Sequence, residues 1–161
     1  MGKIEDIYNE NYNTMLGVAR KMLGNGYDAT DIIHDVFIDF FEKWEGGTVI
    51  QYPRSWLYRV TLNKCVDMLR RCKNHNDIED VHDKGEEGDK TESRERKAIV
   101  GLALSKLKTN ERELAVLYSE GLSYKEIAGV TGIKLSSIGK MLSRTLKKVE
   151  YELKKLGYEM Y

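Results

Sequence analysis

The stretch "GLSYKEIAGVTGIKLSSIGKML", residues 121–142, sets two short helical patterns around a single Thr-Gly-Ile. Ser123 is followed three residues later by Glu126, the spacing of a capping box in which each side chain satisfies the other's backbone N–H. A helix is predicted to begin there. Ala128 is small enough for a second helix to approach closely, and Gly132 suits the left-handed conformation that closes a short turn. Further on, Ile138 falls where the second helix would bury an apolar side chain against the first, and Ile127, Ile133, Met141 and Leu142 fill the same small core. This Ala, Gly, Ile spacing fits a helix-turn-helix whose second helix lies in a major groove. An ordinary helical hairpin has a similar pattern, so the rest of the chain must decide.

Hydrophobic residues make up 41% of the 161 residues and charged residues 32%, which suits a globular protein. A single proline and many Leu, Lys, Glu and Ile favour helices over sheet, so the expected fold class is all-α. No apolar run approaches the ~20 residues that span a bilayer, and "MGKIEDIYNENY" is acidic and polar, unlike a signal peptide. The expectation is a cytoplasmic protein without membrane insertion. Cys65 and Cys72 are expected to be reduced thiols within a helix, and His75 does not complete a zinc quartet, so no metal or cofactor is expected.

Net charge is zero, yet acid and base are segregated. Asp28 to Glu45 holds six acids and one lysine, whereas Arg54 to Lys73 holds six basic residues and one aspartate. Asp77 to Glu92 carries eight acids against two lysines, and Lys134 to Lys155 seven bases against two glutamates. Phosphates respond to local charge rather than to the chain's total, so two basic patches suggest two nucleic-acid contacts. Solvated helix faces would look the same.

Apolar residues at 4, 7, 8, 12, 15, 16, 19, 22 and 23 trace one helix face, ending at "GNG". Asp28 then caps a helix with Ile32, Ile33, Val36, Phe37, Phe40, Phe41 and Trp44 on one side and Asp31, Asp35 and Asp39 on the other, stopping at Gly46-Gly47. Pro53 suits the first turn of a third helix, whose stripe is Leu57, Val60, Leu62, Cys65, Val66 and Leu69. Residues 74–96 are nearly devoid of apolar groups and are expected to be a flexible acidic linker. A helix from Lys97 to Leu107 and another capped by Thr109 lead into the helix-turn-helix. The expected organisation is therefore two small helical domains, residues 1–73 and 97–161, joined by that linker. At 23 residues it reaches at most ~80 Å, enough to follow two DNA turns of roughly 34 to 36 Å each.

The segment "PRSWLYRVTLNKCVDMLRR", residues 53–71, mixes aromatics with bases along one helix. Aromatic rings stack on bases that have left the duplex while Arg and Lys hold the backbone, a combination suited to single-stranded or melting DNA. Trp56 and Tyr58 are the candidate stackers, although Trp56 could equally anchor the core.

With these parts in order, the chain resembles the extracytoplasmic-function sigma factors of bacterial RNA polymerase over nearly its full length. "DATDIIHDVFIDFF" resembles the polymerase-binding helix of that family, "SWLYRVTLNKCVDMLRR" its promoter-melting and minus-ten helix, and "ALSKLKTNERELAVLYSEGLSYKEIAGVTGIKLSSIGKMLSRTLKKV" its minus-thirty-five domain. The resemblance implies that Asp31, His34, Asp35 and Asp39 dock on the clamp helices of the largest subunit of core RNA polymerase. It implies that Arg54, Arg59, Lys64, Arg70 and Arg71 hold the minus-ten backbone, that Asn63 reaches a base edge, and that the loop from Gly46 to Tyr52 holds an extruded base. It further implies that Ser136, Ser137, Lys140 and Arg144 read the minus-thirty-five groove of promoter DNA, with Lys147 and Lys148 on phosphates. Many relatives are held inactive by an anti-sigma factor.

The chain departs from the family's pattern at several places. His34 and Asp35 replace the usual Gln and Glu, Lys108 a common Pro, and Lys134 the Ser that often caps the recognition helix. Lys cannot cap, at a cost of about 1 kcal/mol unless Ser136 shifts the helix start. "GKM" at 139–141 replaces a more basic run, and Gly139 inside a helix costs ~1 kcal/mol against Ala. A stand-alone helix-turn-helix regulator is the main alternative, but it leaves the acidic helix and the aromatic-basic helix unexplained. An enzyme is not expected, because the sequence has no Gly-rich phosphate loop and no Ser, His and Asp set.

Overall fold

A computed structural model of the chain describes residues 2–24, 28–75 and 91–157, with side chains at 2–24, 28–72 and 95–157. Among the described residues the regular elements are seven helices: α1 (Gly2–Leu23), α2 (Ala29–Glu45), α3 (Pro53–His75), α4 (Thr91–Ser105), α5 (Thr109–Ser119), α6 (Tyr124–Thr131) and α7 (Leu135–Lys155).

Local chemistry sets most of their ends. Asp28 accepts the N–H of Thr30 at 3.0 Å and starts α2, and Pro53 is the first residue of α3. In the capping box at α6, the Ser123 N–H donates to Glu126 Oε1 at 2.9 Å and the Glu126 N–H to Ser123 Oγ at 3.1 Å. Gly132 then adopts φ 79° and donates to Ala128 O at 2.9 Å, which closes the turn into α7. Two boundaries differ from the sequence expectation. Lys108, not Thr109, is the cap of α5, because Glu111 Oε1 takes the Lys108 N–H at 3.0 Å. Helix α4 begins at Thr91, inside the stretch expected to be linker, of which residues 76–90 lie outside the described residues.

Helices α1, α2 and α3 form the first unit around Met15, Met22, Ile33, Phe40, Leu57 and Leu62, all buried. Aromatic rings knit it together: Tyr8 meets Phe37 edge-on at 4.9 Å, and Phe40 meets Trp56 edge-on at 5.5 Å. Each large side chain removed from water contributes about 1.5–3 kcal/mol, so these rings are a main source of the unit's stability. Cys65 belongs to this core. Burial pushes its thiol up to about 12, with a further push from the carboxylate of Glu113 on α5, so it is a reduced, unreactive packing residue. The second unit packs α4 to α7 around Leu114, Leu117, Ile127, Ile138 and Leu142.

The two apolar cores are continuous: α4 and α5 lie on α1, and α6 lies on α3. Units this small bury only about 60% of their chain surface, which leaves apolar flanks that a neighbour can cover.

One defect stands out in α3. The Thr61 hydroxyl is fully buried and has no hydrogen-bond partner. A buried unmade hydrogen bond costs on the order of 1–3 kcal/mol, and valine has nearly the same shape. Thr61→Val should therefore raise stability by about 1 kcal/mol in denaturant unfolding; a loss of stability would show that the hydroxyl is satisfied in solution.

Candidate nucleic-acid interface

The buried stripe of α2 leaves an opposite face in water. Asp31, His34 and Asp35 are exposed on it, Asp39 is half-buried, and Ile38, 51% exposed, lies among them. This is an acidic stripe with an apolar centre, the composition of a docking face for a basic partner with one hydrophobic anchor. Sequence reading missed Ile38, although its failure to fall on the buried stripe of α2 was visible.

On α3 the helical period brings Arg59, Asn63 and Arg70 onto one face, all exposed, with Arg71 exposed beside them. Arg70 pairs with Asp67 at 3.8 Å. Lys64 turns toward α2 and pairs with Asp39 at 3.0 Å, so one ion pair joins a residue expected to meet polymerase to one expected to meet DNA. Arg54 is exposed and donates to the Tyr58 hydroxyl at 3.2 Å, a bond that raises the Arg54 pKa. Tyr58 itself corrects an expectation. It is 1% exposed, because the helical period carries it into the core beside Leu57, and a ring with no free face cannot stack on a base. Trp56 is half-buried against Phe40. The exposed aromatic here is Tyr52, 68% exposed, whose carbonyl accepts the Trp56 N–H at 3.0 Å as α3 begins. Its place before a proline, which favours extended backbone, was the available signal. Val49 is 89% exposed in the same loop.

Helix α7 buries Ile138, Leu142 and Thr145 and turns Ser136, Lys140, Arg144 and Lys147 to solvent, while Ser137 is half-buried. Lys134 makes no side-chain cap and Leu135 remains the first helical residue, so Ser136 does not shift the start. The first N–H groups of α7 therefore keep their positive end uncompensated at the tip expected to approach phosphates. Lys148 instead pairs with Glu111, which holds that carboxyl below its usual range.

Comparison with known proteins decides what these faces belong to. The sigma-70 region 2 family matches residues 7–75, and the sigma-70 region 4 family matches residues 97–149. The chain belongs to the sigma-70 family. It is 28% identical over 152 residues to the sigma factor SigE of Mycolicibacterium smegmatis, covering 87% of this chain and 57% of that one. It is 26% identical over 150 residues to the ferric citrate uptake sigma factor FecI of Escherichia coli, covering 89% and 86%. The sigma factor RpoE of Bartonella quintana, solved with the anti-sigma factor NepR, has the same fold at 18% identity, with a TM-score of 0.74 over 96% of this chain and 98% of that one.

In this sigma factor, region 2 is α1–α3 and region 4 is α4–α7, and polar contacts fasten them where their cores meet. Arg112 of α5 donates to Met22 O at the end of α1 at 2.5 Å, and to Leu104 O and Ser105 O at the end of α4 at 3.0 and 3.3 Å. Lys21 pairs with Glu120 at 2.8 Å and donates to Ser119 Oγ at 3.2 Å. Arg59 on the outer face of α3 donates to Gly129 O of α6 at 2.9 Å. Near the same junction Glu113 is partly desolvated, which raises its pKa. These contacts join residues far apart in the chain, and nothing in sequence spacing marks them.

A double-mutant cycle at Lys21 and Glu120 measures the junction in solution. Partly exposed pairs of this kind couple by roughly 0.5–1 kcal/mol, and zero coupling in thermal unfolding would mean that this pair does not fasten the junction in the free protein.

Proposed function

We propose that this sigma factor engages core RNA polymerase through the acidic face of α2, opens the minus-ten element with α3 and the loop before it, and holds the minus-thirty-five element with α7. The carrying observation is the partition of exposed charge. Asp31 and Asp35 precede Ile38 on one exposed face of α2, Arg59, Asn63, Arg70 and Arg71 line α3, and Lys140, Arg144 and Lys147 line α7. Acid and base are gathered on different helices, which suits one chain to hold a protein and two DNA sites at once.

On α2, the carboxylates steer association with a basic helix pair, the clamp helices of the largest polymerase subunit, and Ile38 supplies desolvated contact. Arg54, Arg59, Arg70 and Arg71 neutralise minus-ten phosphates and Asn63 meets a base edge. Tyr52 joins Trp56 as a stacking surface for an unpaired base, with the loop from Gly46 to Tyr52 forming its pocket. Unstacking a base costs a few kcal/mol, so a pocket that returns this for one base selects the promoter. Ser136 and Ser137 belong to the first turn of the groove-reading helix, and Lys147 and Lys148 border it. Lys148 must leave Glu111 to reach a phosphate.

The protein acts in the cytoplasm beside the polymerase and supplies no catalytic group of its own; no described helix is long and apolar enough to cross a membrane. An anti-sigma factor is its natural antagonist, as NepR is the partner in the solved RpoE complex.

Run-off transcription with bacterial core polymerase on a genomic library tests the proposal, and no promoter-dependent product would refute it. Asp31→Lys with Asp35→Lys should weaken core binding at least tenfold in a competition assay while leaving the fold intact. Unchanged affinity would remove α2 from the docking face. Tyr52→Ala and Trp56→Ala should each spare polymerase binding and reduce permanganate reactivity of the minus-ten thymines; undiminished reactivity would deny both rings a part in melting.

A further inference from the structure

The start of α7 is unusual for a surface that meets DNA. Its first residue, Leu135, is 53% exposed, although the helix buries Ile138 and Leu142 well. One turn on, and on the same side, Gly139 offers no side chain. A glycine inside a helix is unfavourable by ~1 kcal/mol against alanine, so the bare position needs a reason. Tyr124, the first residue of α6, supplies one. Its ring lies over Gly139 so closely that a Cβ at 139 would stand 3.4 Å from Tyr124 Cε2. A methyl there would touch the ring, and a longer side chain extended toward Tyr124 would have to displace it. The surface of the recognition helix at this point is thus provided by the neighbouring helix, and Tyr124 remains 48% exposed.

Two apolar groups therefore stand in water at the tip of the helix-turn-helix. The exposed cations Lys125 and Lys134 adjoin them in sequence, and the exposed Lys140 follows Gly139. A polyanion with a small apolar feature matches that composition better than a protein or lipid surface, which would want a wider apolar face. In the major groove, the apolar group that base edges present is the 5-methyl of thymine.

We propose that Tyr124 and Leu135, with the bare backbone of Gly139, form an apolar seat for the 5-methyl group of a thymine in the minus-thirty-five element. This rests on the reading of α7 as the minus-thirty-five helix. The seat selects thymine by shape and dehydration, while Lys140 and Arg144 supply attraction that is indifferent to sequence. It also gives the glycine in "GKM" a purpose: a larger residue at 139 would push the ring off the groove face.

The test uses the full chain on bacterial core polymerase. Selection from a randomised upstream region first defines the preferred minus-thirty-five element. Each thymine in it is then replaced singly by uracil, which removes only the methyl, and affinity is measured at fixed salt. At one position the replacement should weaken binding about threefold to fourfold, the scale of one buried methyl group. Tyr124→Ser and Leu135→Ser should bind both promoters at the weaker level and so lose the difference, whereas Tyr124→Phe should keep it. Thermal unfolding of each variant shows whether the helix-turn-helix is intact, and Gly139→Gln gives a second, independent loss of methyl sensitivity through displacement of the ring. A defined element in which uracil binds as well as thymine everywhere overturns the seat alone. A selection that returns no upstream preference overturns the seat together with the groove assignment beneath it.

Discussion

A single guanidinium holds much of this architecture in place. Helices end with carbonyls that have no partner of their own, and burying such an end without donors is costly. Arg112 reaches the final turn of α1 through Met22 O and that of α4 through Leu104 O and Ser105 O, from a position on α5. Two helix ends, one from each region, thus converge on one rigid, permanently charged fork. The packing of α4 and α5 on α1 follows, and with it the continuous core from Met15 to Leu142. Lysine at 112 would bring one point charge where a planar group now spans three acceptors.

Around that junction, charge is distributed by face instead of by total. A net charge of zero conceals an acidic stripe on α2 and basic stripes on α3 and α7. Attraction for phosphate falls away within about 8 to 10 Å at ordinary ionic strength, so each stripe acts on what touches it and hardly senses the others. The pair between Asp39 and Lys64 sits where the acidic and basic faces meet.

Much of this was legible in the chain. Asp28, Pro53, the Ser123–Glu126 box and Gly132 mark helix ends through local hydrogen bonding and backbone preference, which neighbours in space do not override. The three-and-four spacing likewise placed Ile33, Phe40, Leu57 and Ile138 in the core. Where residue type was trusted over period, the reading went astray: Tyr58 was given a surface role because it is aromatic beside an arginine, yet its position on the wheel buries it. Ile38 escapes that reading for the converse reason, being an apolar residue off the stripe, and Tyr52 enters it only as the end of the base-holding loop. Arg112, Lys21 and the Tyr124 ring beside Gly139 involve partners between 7 and 99 positions away, most of them on another helix, and no single-sequence period encodes such meetings.

The bond from Arg59 to the backbone of Gly129 makes one donor the property of two surfaces. While region 4 rests on α3, one N–H of that guanidinium is committed to α6. Under the proposed roles a phosphate that takes over this donor competes with α6 for it, so the two free energies are linked in both directions. Under the proposed roles, anything that draws region 4 outward returns this donor to region 2, and anything that presses the halves together keeps it on α6.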